Sequence, residues 1–224
     1  MTSNCNVKDV LAFLRELAAN NDRLWFKARK EEVYDPLRRA WEADFERLIA
    51  LVAAWDEKAR GLDVKQAVYR IYRDIRFSPD KRPYKNYFSG VIGKNGRKCL
   101  SSGYYVHIEP GHSMLCGGVW WPQKDKLAAI RGLIDAEPEE FTRLMGDPAL
   151  TTRYHLDDSE ALKTVPKGYP KDHPMAQYLR FKSFIFVKNL PDGYFDCDDW
   201  VQRVAADLRP LKPVHDFLDY VFDE

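Results

Sequence analysis

The period of the apolar residues changes near residue 65 and changes back near residue 122, and this limits the chain to a few architectures. Before the first change the spacing is helical. Val7, Val10, Leu11, Leu14, Leu17 and Ala18 fall on one helix face, with Asn6 placed to cap it. Asn20-Asn21-Asp22 breaks this run and can cap the next, which begins at Leu24, Trp25 and Phe26. Asp35-Pro36 reads as an N-cap followed by proline at the first helical position. It opens a long helix whose stripe is Leu37, Trp41, Phe45, Leu48, Leu51, Val52 and Trp55.

From Val68 to Trp121 the pattern becomes that of strands. Four stretches rich in aromatic and β-branched residues, 68–77, 87–92, 103–109 and 113–121, are separated by Gly, Pro and Asn. Asn95-Gly96 and Pro110-Gly111 read as hairpin turns, so the strands are expected to be antiparallel. Helical spacing returns at 123–134 and 138–145, residues 151–174 read as an irregular loop, and 182–189 reads as one more strand. The end, 198–222, is expected to be helical and interrupted at Pro210 and Pro213. The expected fold class is α+β: a single domain, 1–224, with residues 1–60 helical, 65–122 forming an antiparallel sheet core, and 123–224 supplying helices and a further strand. A chain of 224 residues can bury such a core without disulfides or a structural metal.

Charge is unevenly spread. Residues 65–98 hold ten Lys or Arg against two Asp, and residues 189–224 hold nine acids against three bases. With a formal net charge of +1 for the whole chain, the basic block favours a local anion site over wholesale coating of nucleic acid. The acidic tail is expected to form a solvated helix face, and would partly neutralise the block if the two packed together. Cys5, Cys99, Cys116 and Cys197 are scattered, without the paired spacing of zinc or redox sites. With no apolar leader or membrane-length apolar run, the chain is expected to be cytoplasmic, without a membrane partner. No metal site is indicated, the residues leave the cofactor unknown, and Walker, Gly-x-Ser-x-Gly and His-Glu-x-x-His patterns are missing.

Two segments carry candidate chemistry. Within 70–85, a strand would put Arg70, Tyr72, Asp74 and Arg76 on one face. It would put Arg73 among Tyr69, Ile71, Ile75 and Phe77 on the other, where a guanidinium needs a partner. The following loop, with Pro79 and Pro83, projects Lys81, Arg82 and Lys85. Fixed cations of this kind suit phosphate or carboxylate. Within 103–111, Tyr105, His107 and Glu109 share a strand face, and His107 with Glu109 is the candidate proton-handling pair.

These segments resemble a bacterial and fungal family known as domain of unknown function 2461. The likeness rests on Phe13-Leu14 with Asn20-Asn21-Asp22-Arg23-Leu24-Trp25-Phe26, on Arg70 to Lys85, and on Gly103 to Gly111 with Gly117-Gly118 behind it. Asp172-His173-Pro174 and Phe181-Lys182-Ser183-Phe184 form a weaker fourth block. The resemblance implies one domain and no established activity, so it assigns no catalytic residues.

Three functional readings follow from the residues. The first is a domain that binds a small phosphate- or carboxylate-bearing ligand, as an enzyme or without catalysis. Its site would join Arg70, Tyr72, Arg73, Asp74, Arg76, Lys81, Lys85 and Tyr105 with His107 and Glu109. The second is a module for nucleic acid or an acidic protein, with Tyr84, Tyr87 and Phe88 stacking on bases; the near-zero net charge counts against it. The third is a partner-binding protein whose conspicuous residues hold up the fold.

Overall fold

The computed structural model describes residues 2–222; Asp223 and Glu224, counted in the acidic tail, lie outside them. Helices make up most of residues 7–59, as their spacing requires. Helix α1 (Val7–Ala19) is capped by the Asn6 side chain, and α2 (Arg23–Arg29) by Asp22, which accepts from the amides of Leu24 and Trp25. Helix α3 (Asp35–Ala53) does not start at a cap. One π-helical turn, Lys30–Tyr34, runs straight into it. The Asp35 amide reaches back to the Lys30 carbonyl, and the wider turn accommodates Pro36, which has no N–H to give. The Asp35 carboxylate therefore pairs with Lys30 at 2.8 Å instead of capping.

After the short helix α4 (Val64–Ala67) come β1 (Phe88–Ile92), β2 (Gly103–Ile108) and β3 (Ser113–Val119). Helices α5 (Lys124–Ala136), α6 (Pro138–Met145) and α7 (Pro148–Thr151) follow, then β4 (His155–Leu156), α8 (Ala176–Leu179) and β5 (Phe184–Leu190). Helices α9 (Trp200–Leu208) and α10 (Lys212–Asp219) close the domain, separated by a 3₁₀ turn at Pro210. The five strands form one antiparallel sheet in the order β1-β2-β3-β5-β4, so the fold is a single-domain α+β structure.

Register assigns the two faces. Tyr104, Val106 and Ile108 pair across to Ile92, Gly90 and Phe88, and Leu115, Phe184 and Phe186 continue the same face. These side chains are buried in the one large core, under α3, α9 and α10. Two glycines let the helices come close. A Cβ on Gly90 would lie 2.3 Å from the Phe45 ring, and one on Gly117 would lie 2.6 Å from Leu211 and 2.8 Å from His215. The opposite face carries Ser89, Val91, Tyr105, His107, Met114, Cys116, Ile185 and Val187.

Three expectations need correction. Residues 68–77 are not a strand: only the bridges Val68–Gly90 and Tyr72–Tyr84 form, and the segment 68–86 is otherwise irregular. Pro79 and Pro83 withhold ladder donors, and each acidic residue there turns onto a nearby arginine. Asn95 and Gly96 do take positive φ, of 67° and 56°, but not as a two-residue hairpin. The β1–β2 connection is longer because Gly96 packs against the Gln66 carbonyl and a 3₁₀ turn follows. The loop 151–174 contains β4, too short to signal itself by alternation.

Candidate functional site

The uncovered sheet face is the floor of a cavity of about 560 Å³. Val91, Tyr105, Met114, Cys116, Ile185 and Val187 contribute to the floor, one residue or two from each of four strands. Beyond the β1 edge the wall is Tyr69, Lys85, Tyr87 and Arg97; Asp157, beside β5, stands on the opposite side. Trp120, just past the end of β3, also borders it and is 74% exposed.

The β1 wall is cationic and uncompensated. Lys85 is half-buried, and its Nζ lies 4.9 Å from the Tyr69 ring centre and 5.5 Å from that of Tyr87. No carboxylate pairs with it among the described residues. Burial holds its pKa below the usual lysine range, and the charges of Arg70, Arg97 and Arg38 add to the effect. Arg97 is positioned by the Gln66 and Lys65 carbonyls, each 2.9 Å away, and lies 5.9 Å from the Tyr69 ring. Carbonyl oxygens and π-faces fix these two cations without neutralising them.

Behind the floor runs a chain of hydrogen bonds. The Tyr105 hydroxyl meets His107 Nδ1 at 2.8 Å, and His107 Nε2 meets Glu109 Oε2 at 2.8 Å. Asn86 donates to the other Glu109 oxygen. A carboxylate only accepts, so Nε2 carries the proton, Nδ1 accepts, and the tyrosine O–H donates to it. His107 is 6% exposed and covered by the Tyr87 ring, 4.4 Å between centres. Burial pushes its pKa below the ordinary histidine value, against the pull of Glu109, and pushes that of Tyr105 up. The imidazole thus joins Glu109 to the hydroxyl of Tyr105, which lines the cavity.

The residues singled out in the sequence are dispersed. Lys85 and Tyr105 line the cavity, with His107 and Glu109 behind Tyr105. Arg70 is exposed, near enough to Lys85 to lower its pKa. The others face elsewhere. Tyr72 joins an aromatic cluster with Phe26 and Tyr84, at 5.9 and 5.5 Å. Arg73 pairs with Asp80 at 2.6 Å and with the Arg82 carbonyl, half-buried at 24% exposure. Asp74 and Arg76 are exposed and pair with each other at 2.7 Å, which holds the Asp74 carboxyl down at about 2. Lys81 bonds to the Ile75 carbonyl in the same loop. Arg76 and His107 therefore do not share a cavity. Of the expected stacking residues, Tyr84 and Phe88 are buried in the core and only Tyr87 reaches the wall. Arg97, Tyr69, Ser89, Trp120 and Asp157 were not anticipated as site residues. The one sequence signal for Arg97 was its place in the basic block.

No group of three or more His, Cys, Asp or Glu is arranged to hold a metal among the described residues. Nor is any described helix long and apolar enough to cross a membrane. Fold and site define a single-domain α+β protein whose antiparallel sheet is covered by helices on one face and hollowed into a cation-walled cavity on the other. The chain belongs to the family described as Conserved hypothetical protein (DUF2461), whose model matches residues 9–217. No curated protein and no solved structure gives a significant match.

Proposed function

We propose that this protein binds a small organic ligand bearing a phosphate or carboxylate, with the anion against Lys85 and Arg97 and the body over the apolar floor. The observation that carries the reading is Lys85, a half-buried ammonium with no carboxylate partner among the described residues, in the wall of a ligand-sized cavity. A cation held in low dielectric beside other cations is costly, and an anionic ligand relieves that cost. The floor of Val91, Met114, Ile185 and Val187 supports a ligand with an apolar side, and Trp120 offers a stacking surface at the rim.

The alternative, a nucleic-acid- or protein-binding module, draws on the basic loop 70–82. Its charges are largely spent internally, since Asp74 and Asp80 take up Arg76, Arg73 and Arg82. The four cysteines are all free, which supports a reducing, cytoplasmic setting.

The test is titration of the protein with a panel of phosphorylated and carboxylated metabolites, read by thermal shift and calorimetry at low salt. Lys85→Ala and Arg97→Ala should each weaken binding of the hit by about tenfold or more while the apo melting temperature changes little. A panel without hits, or a hit whose affinity ignores both substitutions, would refute the assignment.

A further inference from the structure

The cavity is electrically polarised from one wall to the other. Among the described residues Asp157 is the one acid that lines it, on the side opposite Lys85 and Arg97. Strand register puts it there. His155 and Leu156 of β4 pair with Val187 and Phe186, and one residue further the Asp157 amide donates to the Ile185 carbonyl at 2.8 Å. Residues directly opposite in an antiparallel pair share a face, so the Asp157 side chain rises on the side of Ile185 and Val187, which line the floor. Its charge reaches that floor: burial first, and then Asp157, pushes the Cys116 thiol up to about 12. One carboxylate oxygen accepts from the Ser159 amide at 3.0 Å, and no cation pairs with the group among the described residues.

The two signs do not neutralise each other. The charges bearing on Lys85 are those of Arg70, Arg97 and Arg38, with no acid among them. From β1 to Asp157 the sheet runs through β2, β3 and β5, four strand spacings or about 19 Å. Between the walls the floor is apolar, with Val91, Met114, Ile185 and Val187. A ligand lying across it displaces the water that solvates both walls, and a carboxylate that loses water needs a positive partner.

We propose that the ligand is dipolar: an elongated molecule with an apolar middle, whose cationic group, an ammonium or a guanidinium, is held by Asp157 while Lys85 and Arg97 hold its anion. This rests on the anion site proposed above and adds a second charged end as the specificity determinant. At roughly 1.2 Å per bond of an extended chain, about eight to twelve bonds between the charges span the gap that the side chains leave.

Matched probes of that length test it: ω-aminooctanoate against octanoate, and ω-aminoundecanoate against undecanoate. They are titrated calorimetrically at low salt into wild type, Asp157→Asn, Asp157→Lys and Lys85→Ala. Asparagine keeps the acceptor for the Ser159 amide, and position 157 is exposed, so both substitutions there spare the fold. Wild type should prefer the amino member of at least one pair by about fivefold or more, the scale of a partly exposed ion pair. Asp157→Asn should abolish that preference without weakening the plain carboxylate. Asp157→Lys should reverse it, favouring octanedioate over ω-aminooctanoate, which a merely structural role of Asp157 would not do. Lys85→Ala should weaken every probe. Equal wild-type affinity within both pairs, or a preference that survives Asp157→Asn, would overturn the dipolar ligand and leave the anion site standing. Failure of every probe to bind wild type would also overturn it, and the anion site would then stand or fall by the metabolite panel above.

Discussion

His215 illustrates what a single residue can store. It lies between α10 and the sheet, 1% exposed, against the Tyr104 ring at 4.4 Å and tilted 35° to it, with neither ring nitrogen hydrogen-bonded. Burial drives its pKa down to about 3; Asp56 opposes this, and Lys58 and Lys212 reinforce it. In the unfolded chain the same ring titrates near 6.5. As pH falls below that value the unfolded state takes up a proton that the native state refuses, so stability drops until about pH 3. The slope from this one group is up to about 1.4 kcal/mol per pH unit. His215→Phe should flatten the fall in unfolding free energy between pH 6 and 4 by most of that amount, whatever it does to stability at neutral pH. Denaturant titrations across that range read it directly, and parallel slopes for the two proteins would contradict the expectation. Nothing in the sequence marks His215 apart from its neighbours, because its isolation comes from a sheet a hundred residues away.

At the scale of elements, what was legible was what local spacing determines. Amphipathic stripes located α1, α3 and α5, and alternation located β1, β2, β3 and β5, because in each the buried face is written into consecutive turns or pleats. The segment 68–86 misled because its alternation is of charged with apolar residues, and those charges are satisfied within the loop, by Asp74 and Asp80, rather than by a sheet face. Its real anchor is distant. The Asn21 side chain, between α1 and α2, accepts from the Tyr84 amide at 3.1 Å and donates to the Tyr84 carbonyl at 3.0 Å, imitating a strand partner. The Tyr84 ring stacks on Phe26 at 4.0 Å. Asn21 looked like a helix breaker, and its reach across sixty residues has no local signature. The candidate site divides along the same line. Lys85 and Tyr105 could be singled out by charge and strand period, whereas Arg97, Trp120 and Asp157 reach the cavity only because loops from different parts of the chain surround one sheet face. Asn21→Ala should cost about 2 kcal/mol, since it strands both polar groups of a buried backbone unit. It should also speed hydrogen exchange at Tyr84 and Lys85 and weaken anion binding, because Lys85 is the next residue. Unchanged exchange there would mean that the aromatic stack alone holds the segment.

Across the whole molecule, charge and packing are segregated. Among the described residues, the acids of the C-terminal tail pair outside the basic block. Asp192 pairs with Arg15, Asp196 with Lys8, Asp199 with Arg47, Asp207 with Arg153 and Lys188, and Asp219 with Lys58. Apart from the Lys188 pair, these ties join the C-terminal helices and the turns before them to other helices and loops, and they leave the cations beyond β1 facing the open side. The helical layer and the sheet share a single core reaching from Cys5 to Val221. The first residues are sewn into it: the Asp44 carboxylate, fully buried in α3, accepts from the amides of Asn4 and Cys5 and from the Asn4 side chain at 2.8–2.9 Å. Trp200 of α9 donates its indole N–H to the Cys5 carbonyl and stacks on Trp41 at 5.6 Å. A molecule joined in this way has no seam along which one part could melt before another. Urea unfolding followed by far-UV circular dichroism and by tryptophan fluorescence should therefore give one shared midpoint. Asp44→Ala leaves three donors without their charged acceptor and should lower both midpoints together, by about 3 kcal/mol or more in unfolding free energy, with the denaturant slope unchanged. Tryptophan fluorescence reports on the α3–α9 contact through buried Trp41 and Trp200, beside Trp25, Trp55, Trp120 and Trp121 elsewhere, and circular dichroism on all the helices and the sheet. If Asp44→Ala moved the fluorescence transition and left the dichroism transition in place, the helical layer would be a separable unit and the single-core account would fail.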